Sequence, residues 1–141
     1  MLNEIQFINF PVVEDVRGNL AFIQNDILPF EFKRIYYLFD VPSSAFRGGH
    51  SHINQQEILI ALSGSFEVVL DDGLEKKSFL LNKPNLGLHI STGIWRELQN
   101  FSSGSVCLVL ASDVFKEEDY IRDYQVFLET KKGLKGFKYN F

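Results

Sequence analysis

The apolar residues of this chain come in short runs, about ten of them, each cut off by a turn signal, and none keeps a helical period over a useful length. That pattern restricts the chain to sheet architectures. Residues 33–41 (KRIYYLFDV) are rich in aromatic and β-branched side chains and read as a strong strand. Residues 57–62, 65–70, 77–81, 86–90, 93–99 and 106–111 read as further strands, and 20–24 as a shorter one. Asp71-Asp72-Gly73 between two apolar runs is a hairpin signal, and both aspartates are assigned to the turn. Pro11 cannot donate to a ladder and puts residues 1–13 near an edge. Residues 113–119 predict a single helical turn, and 120–128 a strand or a short helix. The basic, glycine-containing tail from about residue 130 is expected to fray. With no linker, repeat or low-complexity segment, residues 1–141 are expected to form one all-β domain, a sandwich or barrel.

Composition narrows the function. A net charge of −4, with the basic residues scattered, argues against a nucleic-acid surface. No apolar run approaches the ~18 residues that span a bilayer. The N-terminus has no basic region followed by an apolar stretch, so a cytoplasmic protein is the expectation. The single cysteine, Cys107, lies in an apolar run and reads as a small core residue.

Chemistry concentrates in residues 46–64, FRGGHSHINQQEILIALSG. The chain has three histidines, and two of them, His50 and His52, stand two apart. In a strand, residues i and i+2 share a face, so the two imidazoles lie side by side. Histidine has the side-chain pKa nearest neutrality, which suits proton transfer or metal ligation. Glu57 has the opposite parity, so an unbulged strand would turn it to the other face unless a bulge intervenes.

The spacing His50-x-His52-x4-Glu57-x6-Gly64 resembles the first motif of the cupins, whose fold is a double-stranded β-helix or jelly-roll barrel. In metal-binding cupins the two His and the Glu are ligands, and a later motif supplies a fourth, a His. Arg96 stands where that His would be. A guanidinium is permanently charged and has no lone pair to give, so the resemblance implies a metal-free site.

A closer resemblance runs along nearly the whole chain. Arg17-Gly18, residues 33–40 (KRIYYLFD), Arg47-Gly48-x-His50-x-His52, Leu70-Asp71-Asp72-Gly73, Trp95 and residues 119–124 (DYIRDY) occur in the order seen in the sugar 3,4-ketoisomerases. These are metal-independent cupins that act on dTDP-4-keto-6-deoxyglucose. They supply 3-keto sugars for 3-amino-3,6-dideoxyhexoses of surface polysaccharides, O-antigen among them. The resemblance implies His50 as the catalytic base, His52 in the same proton-transfer apparatus and Tyr37 close to both. It implies substrate contacts from Arg47 and, by extension, from Arg17, Arg96, Tyr120 and Arg122. A thymine would suit an aromatic platform, Trp95 or a Phe. No cofactor is implied, the partner is the dTDP-sugar, and a homodimer is expected. Two other readings stay open: another nucleotide-sugar cupin such as a 3,5-epimerase, and a non-catalytic sugar-binding cupin.

Overall fold

The computed structural model describes residues 1–132. Among them are twelve strands and one α-helix. In chain order they are β1 (Gln6–Asn9), β2 (Val12–Val13), β3 (Leu20–Ala21), β4 (Arg34–Leu38), β5 (Arg47–His52) and β6 (Glu57–Ser63). There follow β7 (Phe66–Asp71), β8 (Lys76–Leu81), β9 (Leu86–Ile90), β10 (Trp95–Gln99), β11 (Val106–Ala111), β12 (Tyr120–Ile121) and α1 (Tyr124–Lys131).

The chain crosses repeatedly between two five-stranded sheets, ordered β1-β9-β6-β11-β4 and β12-β5-β10-β7-β8, with β2 and β3 a separate hairpin. Every pairing is antiparallel. This is the all-β jelly roll that the sequence leads one to expect. The main core lies between the sheets and includes Leu59, Phe66, Val68, Leu70, Leu88, Cys107 and Val109. A second cluster covers Ile58, Ile60 and Leu110 with Phe10, Ile23, Phe30 and Phe32. Strand β6 is therefore apolar along both faces, which is why its sequence is a continuous run rather than an alternation.

Several expectations change in detail. The strand expected over 20–24 shrinks to two residues in β3. The helical turn expected in 113–119 is a short 3₁₀ turn, Glu117–Asp119. Residues 120–128 are both a strand and a helix in succession. Asp123 separates them, its carboxylate accepting from the Gln125 and Val126 amides as an N-cap. At the start of the tail expected to fray, Thr130 and Lys131 belong to α1, and Lys131 is buried against the Gly93 carbonyl. Residues 133–141 of that tail lie outside the described residues.

The hairpin aspartates do more than turn the chain. Asp71 accepts from the Gly73 amide at 2.7 Å and from the Tyr124 hydroxyl at 2.6 Å. Asp72 accepts from the amides of Leu74, Glu75 and Leu2. They tie the N-terminal residues and α1 to the end of the barrel.

Candidate active site

Strand β5 departs from regular pairing at Gly48. Across β10 its register runs Arg96 opposite His50 but Leu98 opposite Arg47, so β5 carries one extra residue. Gly48 sits at φ +87°, and a Cβ there would lie 2.7 Å from Leu98 Cδ1. A side chain at that position is excluded twice, by conformation and by space. The bulge brings Arg47 and His50, three apart in sequence, onto one cavity.

That cavity holds about 550 Å³, and its wall includes Arg34, Tyr36, Arg47, His50, Glu57, Arg96, Tyr120 and Arg122. His50 is almost fully buried, its ring edge-on to His52 at 4.8 Å between centroids and 4.9 Å from Tyr120. Its Nε2 has no hydrogen-bond partner. Burial, then the charge of Arg96 and the neighbouring His52, push its pKa down from the usual 6.5 to about 2. His50 is therefore a neutral imidazole with an unpartnered, buried Nε2 in a residue that lines the cavity.

His52 has a different station. Its side chain is 0 % exposed and lies behind His50, outside the cavity wall. Its Nδ1 meets Asp119 Oδ2 at 3.1 Å. An ionised carboxylate only accepts, so Nδ1 carries the proton, and Nε2 faces the Gln55 amide at 3.5 Å. Burial and Arg96 hold its pKa down, against Glu57 and Asp119. Asp119 also accepts from the Asn54 and Gln55 amides, at 2.7 and 3.1 Å. The pairing of β12 with β5, which sets Tyr120 opposite His52, delivers this carboxylate.

Glu57 does face the histidines. No bulge within a continuous strand is responsible. The chain leaves β5 after His52, loops, and re-enters as β6 at Glu57 in the other sheet, so parity starts afresh. The carboxylate accepts from Arg96 Nη1 at 2.6 Å, the Tyr36 hydroxyl at 2.6 Å and Gln55 Nε2 at 3.0 Å. The ion pair with Arg96 is buried, each side chain 1 % exposed.

Of the residues singled out in the sequence, His50, Arg47, Arg96, Tyr120 and Arg122 line the cavity. Arg122 lies over the Tyr120 ring at 4.2 Å and pairs with Glu117. Tyr37 does not approach the histidines. It is 60 % exposed on the outer face of β4, stacks near Phe39 and lines a separate recess. Alternation along β4 points its neighbour Tyr36 inward instead. Arg17 is 86 % exposed in the turn between β2 and β3, paired with Asp15 and outside the cavity wall. Trp95 is buried against Tyr124 and Phe127, so it offers no platform to a base.

Sequence reading missed Arg34, Tyr36 and Asp119. The first two share the inward face of β4 at i and i+2, a signal that existed once the strand's inner face was known. Asp119 lies 67 residues from His52, and no local pattern joins them.

His50, His52 and Glu57 offer donor atoms within 4.8 Å of one another, a spacing that a metal could bridge. The residues fit a metal poorly. Glu57 is already saturated by three donors, and one of them is a cation that would repel the ion.

The family model described as "FdtA: WxcM-like, C-terminal" matches residues 3–132. A TDP-4-oxo-6-deoxy-α-D-glucose-3,4-oxoisomerase of Aneurinibacillus thermoaerophilus is 42 % identical over 125 residues, covering 88 % of this chain and 90 % of that protein. Among solved structures, a 3,4-ketoisomerase from Helicobacter canadensis superposes with a TM-score of 0.87 at 46 % identity, covering 90 % of this chain and 96 % of its own. A histidine-to-asparagine mutant of the 3,4-ketoisomerase QdtA from Thermoanaerobacterium thermosaccharolyticum, in complex with TDP-4-keto-6-deoxyglucose, superposes with a TM-score of 0.92 at 39 % identity, covering 96 % and 99 %.

Proposed function

The chain belongs to the FdtA family, and from that premise we propose that it is a sugar-nucleotide 3,4-ketoisomerase converting TDP-4-keto-6-deoxyglucose into the 3-keto-6-deoxyhexose. The observation that carries the reading is the unpartnered Nε2 of His50. A buried, neutral imidazole with an unpartnered Nε2 in a cavity edged by guanidinium groups is a base set beside an anion site.

The chemistry follows from the substrate. The C4 ketone acidifies the C3 hydrogen. His50 Nε2 takes that proton, the C3–C4 bond gains double-bond character, and an enediolate forms. The proton is then delivered to C4 while the hydrogen of the C3 hydroxyl passes to the C4 oxygen, which leaves a ketone at C3 and a hydroxyl at C4. No electrons enter or leave the substrate overall, so no redox cofactor is required. His52, held behind by Asp119, orients His50 and does not itself touch the sugar. Arg47 and Arg122, more exposed at the same cavity, suit the diphosphate, which guanidinium groups bind bidentately. Phe46 and Phe115, also exposed there, suit a thymine ring.

The same reading carries further assignments. The product feeds the amination that makes 3-amino-3,6-dideoxyhexoses for surface polysaccharides such as O-antigen. The enzyme works in the cytoplasm, where nucleotide sugars are made, and among the described residues no helix is long and apolar enough to cross a membrane. It is a homodimer. Edge strand β4 supports this, with Ile35 and Tyr37 exposed on its outer face and Phe39 just beyond. Light scattering giving a clean monomer would sink the dimer.

The test of function is proton NMR of TDP-4-keto-6-deoxyglucose incubated with the protein in D2O. The expected result is a growing 3-keto species, whose ring couplings report galacto or gluco configuration at C4. Exchange or inversion at C5 would instead indicate a 3,5-epimerase. An unchanged substrate that still binds would indicate a binding module.

A further inference from the structure

Among the described residues, five buried side-chain polar atoms lack a hydrogen-bond partner: Arg34 Nε, His50 Nε2, Ser51 Oγ, Arg96 Nε and Ser105 Oγ. Such atoms are costly, about 1–3 kcal/mol each when left unsatisfied, so a protein that keeps them has a use for them. Three of the five belong to residues that line one cavity: Arg34, His50 and Arg96. Their chemistry is complementary. His50 Nε2 is an acceptor. The two arginine Nε atoms are N–H donors that cannot be deprotonated at physiological pH.

Each guanidinium is also fixed in place by its other contacts. Arg96 is 1 % exposed, with Nη1 on Glu57 and Nη2 on the Ile94 carbonyl at 2.9 Å. Arg34 lies over the rings of Tyr36 and Phe115, at 5.0 and 5.5 Å, and donates from Nη2 to Gln55 Oε1 at 3.3 Å. In Arg96 both terminal nitrogens are engaged, in Arg34 Nη2 is, and in both residues the buried Nε–H has no partner.

We propose that Arg34 and Arg96 are the enediolate-stabilising residues of this site, their Nε–H groups donating to the C3 and C4 oxygens while His50 Nε2 takes the C3 proton. The inference rests on the ketoisomerase reading and assigns Arg34 a part that the sequence did not suggest. It also narrows Arg96 from a general substrate contact to one at the reacting carbons. The ketone oxygen and the neighbouring hydroxyl carry little charge in the substrate. They share a full negative charge in the enediolate. Two fixed cationic donors therefore bind the intermediate more strongly than the substrate, which is what lowers the barrier. Little solvent reorganisation is needed, because both Nε atoms are already buried and each guanidinium is held by other contacts.

The experiment compares wild type, Arg34→Lys and Arg34→Gln in turnover of TDP-4-keto-6-deoxyglucose. Deuterium uptake at C3 is followed alongside as a readout of enolisation. Lysine keeps the charge and removes the Nε–H at that place. The expected result is a kcat lowered by about 10²–10³-fold in both variants, with KM changed by less than about threefold and enolisation slowed in parallel. Arg96→Lys, which preserves a cation for Glu57 and so guards the fold, should show the same split. A wild-type kcat in Arg34→Lys overturns the proposal, as does a rise in KM with kcat unchanged, which would make Arg34 a uniform substrate contact. If wild type itself fails to enolise the substrate, the ketoisomerase reading falls and the proposal falls with it. If wild type turns over and the variants match it, the proposal alone falls.

Discussion

Two buried polar clusters sit at different places in this barrel, and they differ in one respect. At the hairpin between β7 and β8, Asp71 and Asp72 are both buried, and each of their oxygens has a donor: the Gly73 amide and the Tyr124 hydroxyl for one, the amides of Leu74, Glu75 and Leu2 for the other. Between β4, β5 and β10, buried His50 and Arg96 and half-buried Arg34 form a cluster that keeps three buried atoms unpaired. A saturated polar cluster holds the fold together. An unsaturated one waits for a ligand. Burial and charge alone do not tell the two apart, whereas counting partners does.

The contrast is broken or sharpened by variants that remove one member at a time. The largest effect belongs to His50→Asn. Its kcat should fall by about 10³-fold or more, the loss of a general base, while urea unfolding shifts by less than about 1 kcal/mol, because no hydrogen bond at Nε2 is lost. An equal loss of stability would make the two clusters alike. Next comes Asp119→Asn. It leaves the shape of the site but weakens the hold on His52 Nδ1, and kcat should fall about 10–100-fold with little change in KM. Nitrogen-15 NMR of the His52 ring should show the Nδ1–H form lost; an unchanged tautomer would remove Asp119 from the positioning role.

Acid gives an intermediate effect. His50 is held to about 2 in the folded protein against 6.5 ordinarily. As pH falls below 6.5, the unfolded chain takes up this proton and the folded one does not, so stability is complete above 6.5 and declines below it. The contribution is at most about 1.4 kcal/mol per pH unit for this residue. Denaturant unfolding at pH 6.5 and 4.5 should show the decline, and His50→Asn should make it shallower. A slope unchanged in the variant would mean that His50 is not held neutral. The smallest effect is at the saturated cluster. Tyr124→Phe removes the hydroxyl from Asp71 and should cost roughly 1 kcal/mol in unfolding free energy, with kcat and KM unchanged.

Much of this arrangement was legible in the chain. The short apolar runs specified an all-β sandwich or barrel, the resemblance to the cupins implied the jelly roll, and Arg47-Gly48-x-His50-x-His52 pointed to the strand that carries Arg47 and His50 to the cavity. What was not legible depended on facing. Tyr36 and Tyr37 are adjacent, and only the side of β4 that meets the barrel decides which enters the site. Glu57 was assigned by parity to the wrong face, because residues 53–56 interrupt the strand and the count restarts in another sheet. Arg17 carries a strong local ion pair with Asp15 and gives no sign in the sequence that it stands apart from the cavity. Asp119 and Lys131 acquire their contacts from partners tens of residues away.

The Arg96–Glu57 pair has a consequence for descent. Two of the arginine codons differ from a histidine codon by one base, so from either of them a single point mutation at position 96 exchanges a built-in cation for a third imidazole, a fourth potential ligand beside His50, His52 and Glu57. Lineages of this barrel could therefore pass between carrying their positive charge covalently and borrowing it from the medium without redesigning the strands around it. A gene that holds arginine here fixes that positive charge in the chain itself: it is synthesised on the ribosome and is present in every copy of the protein, whatever the cell's stock of ions.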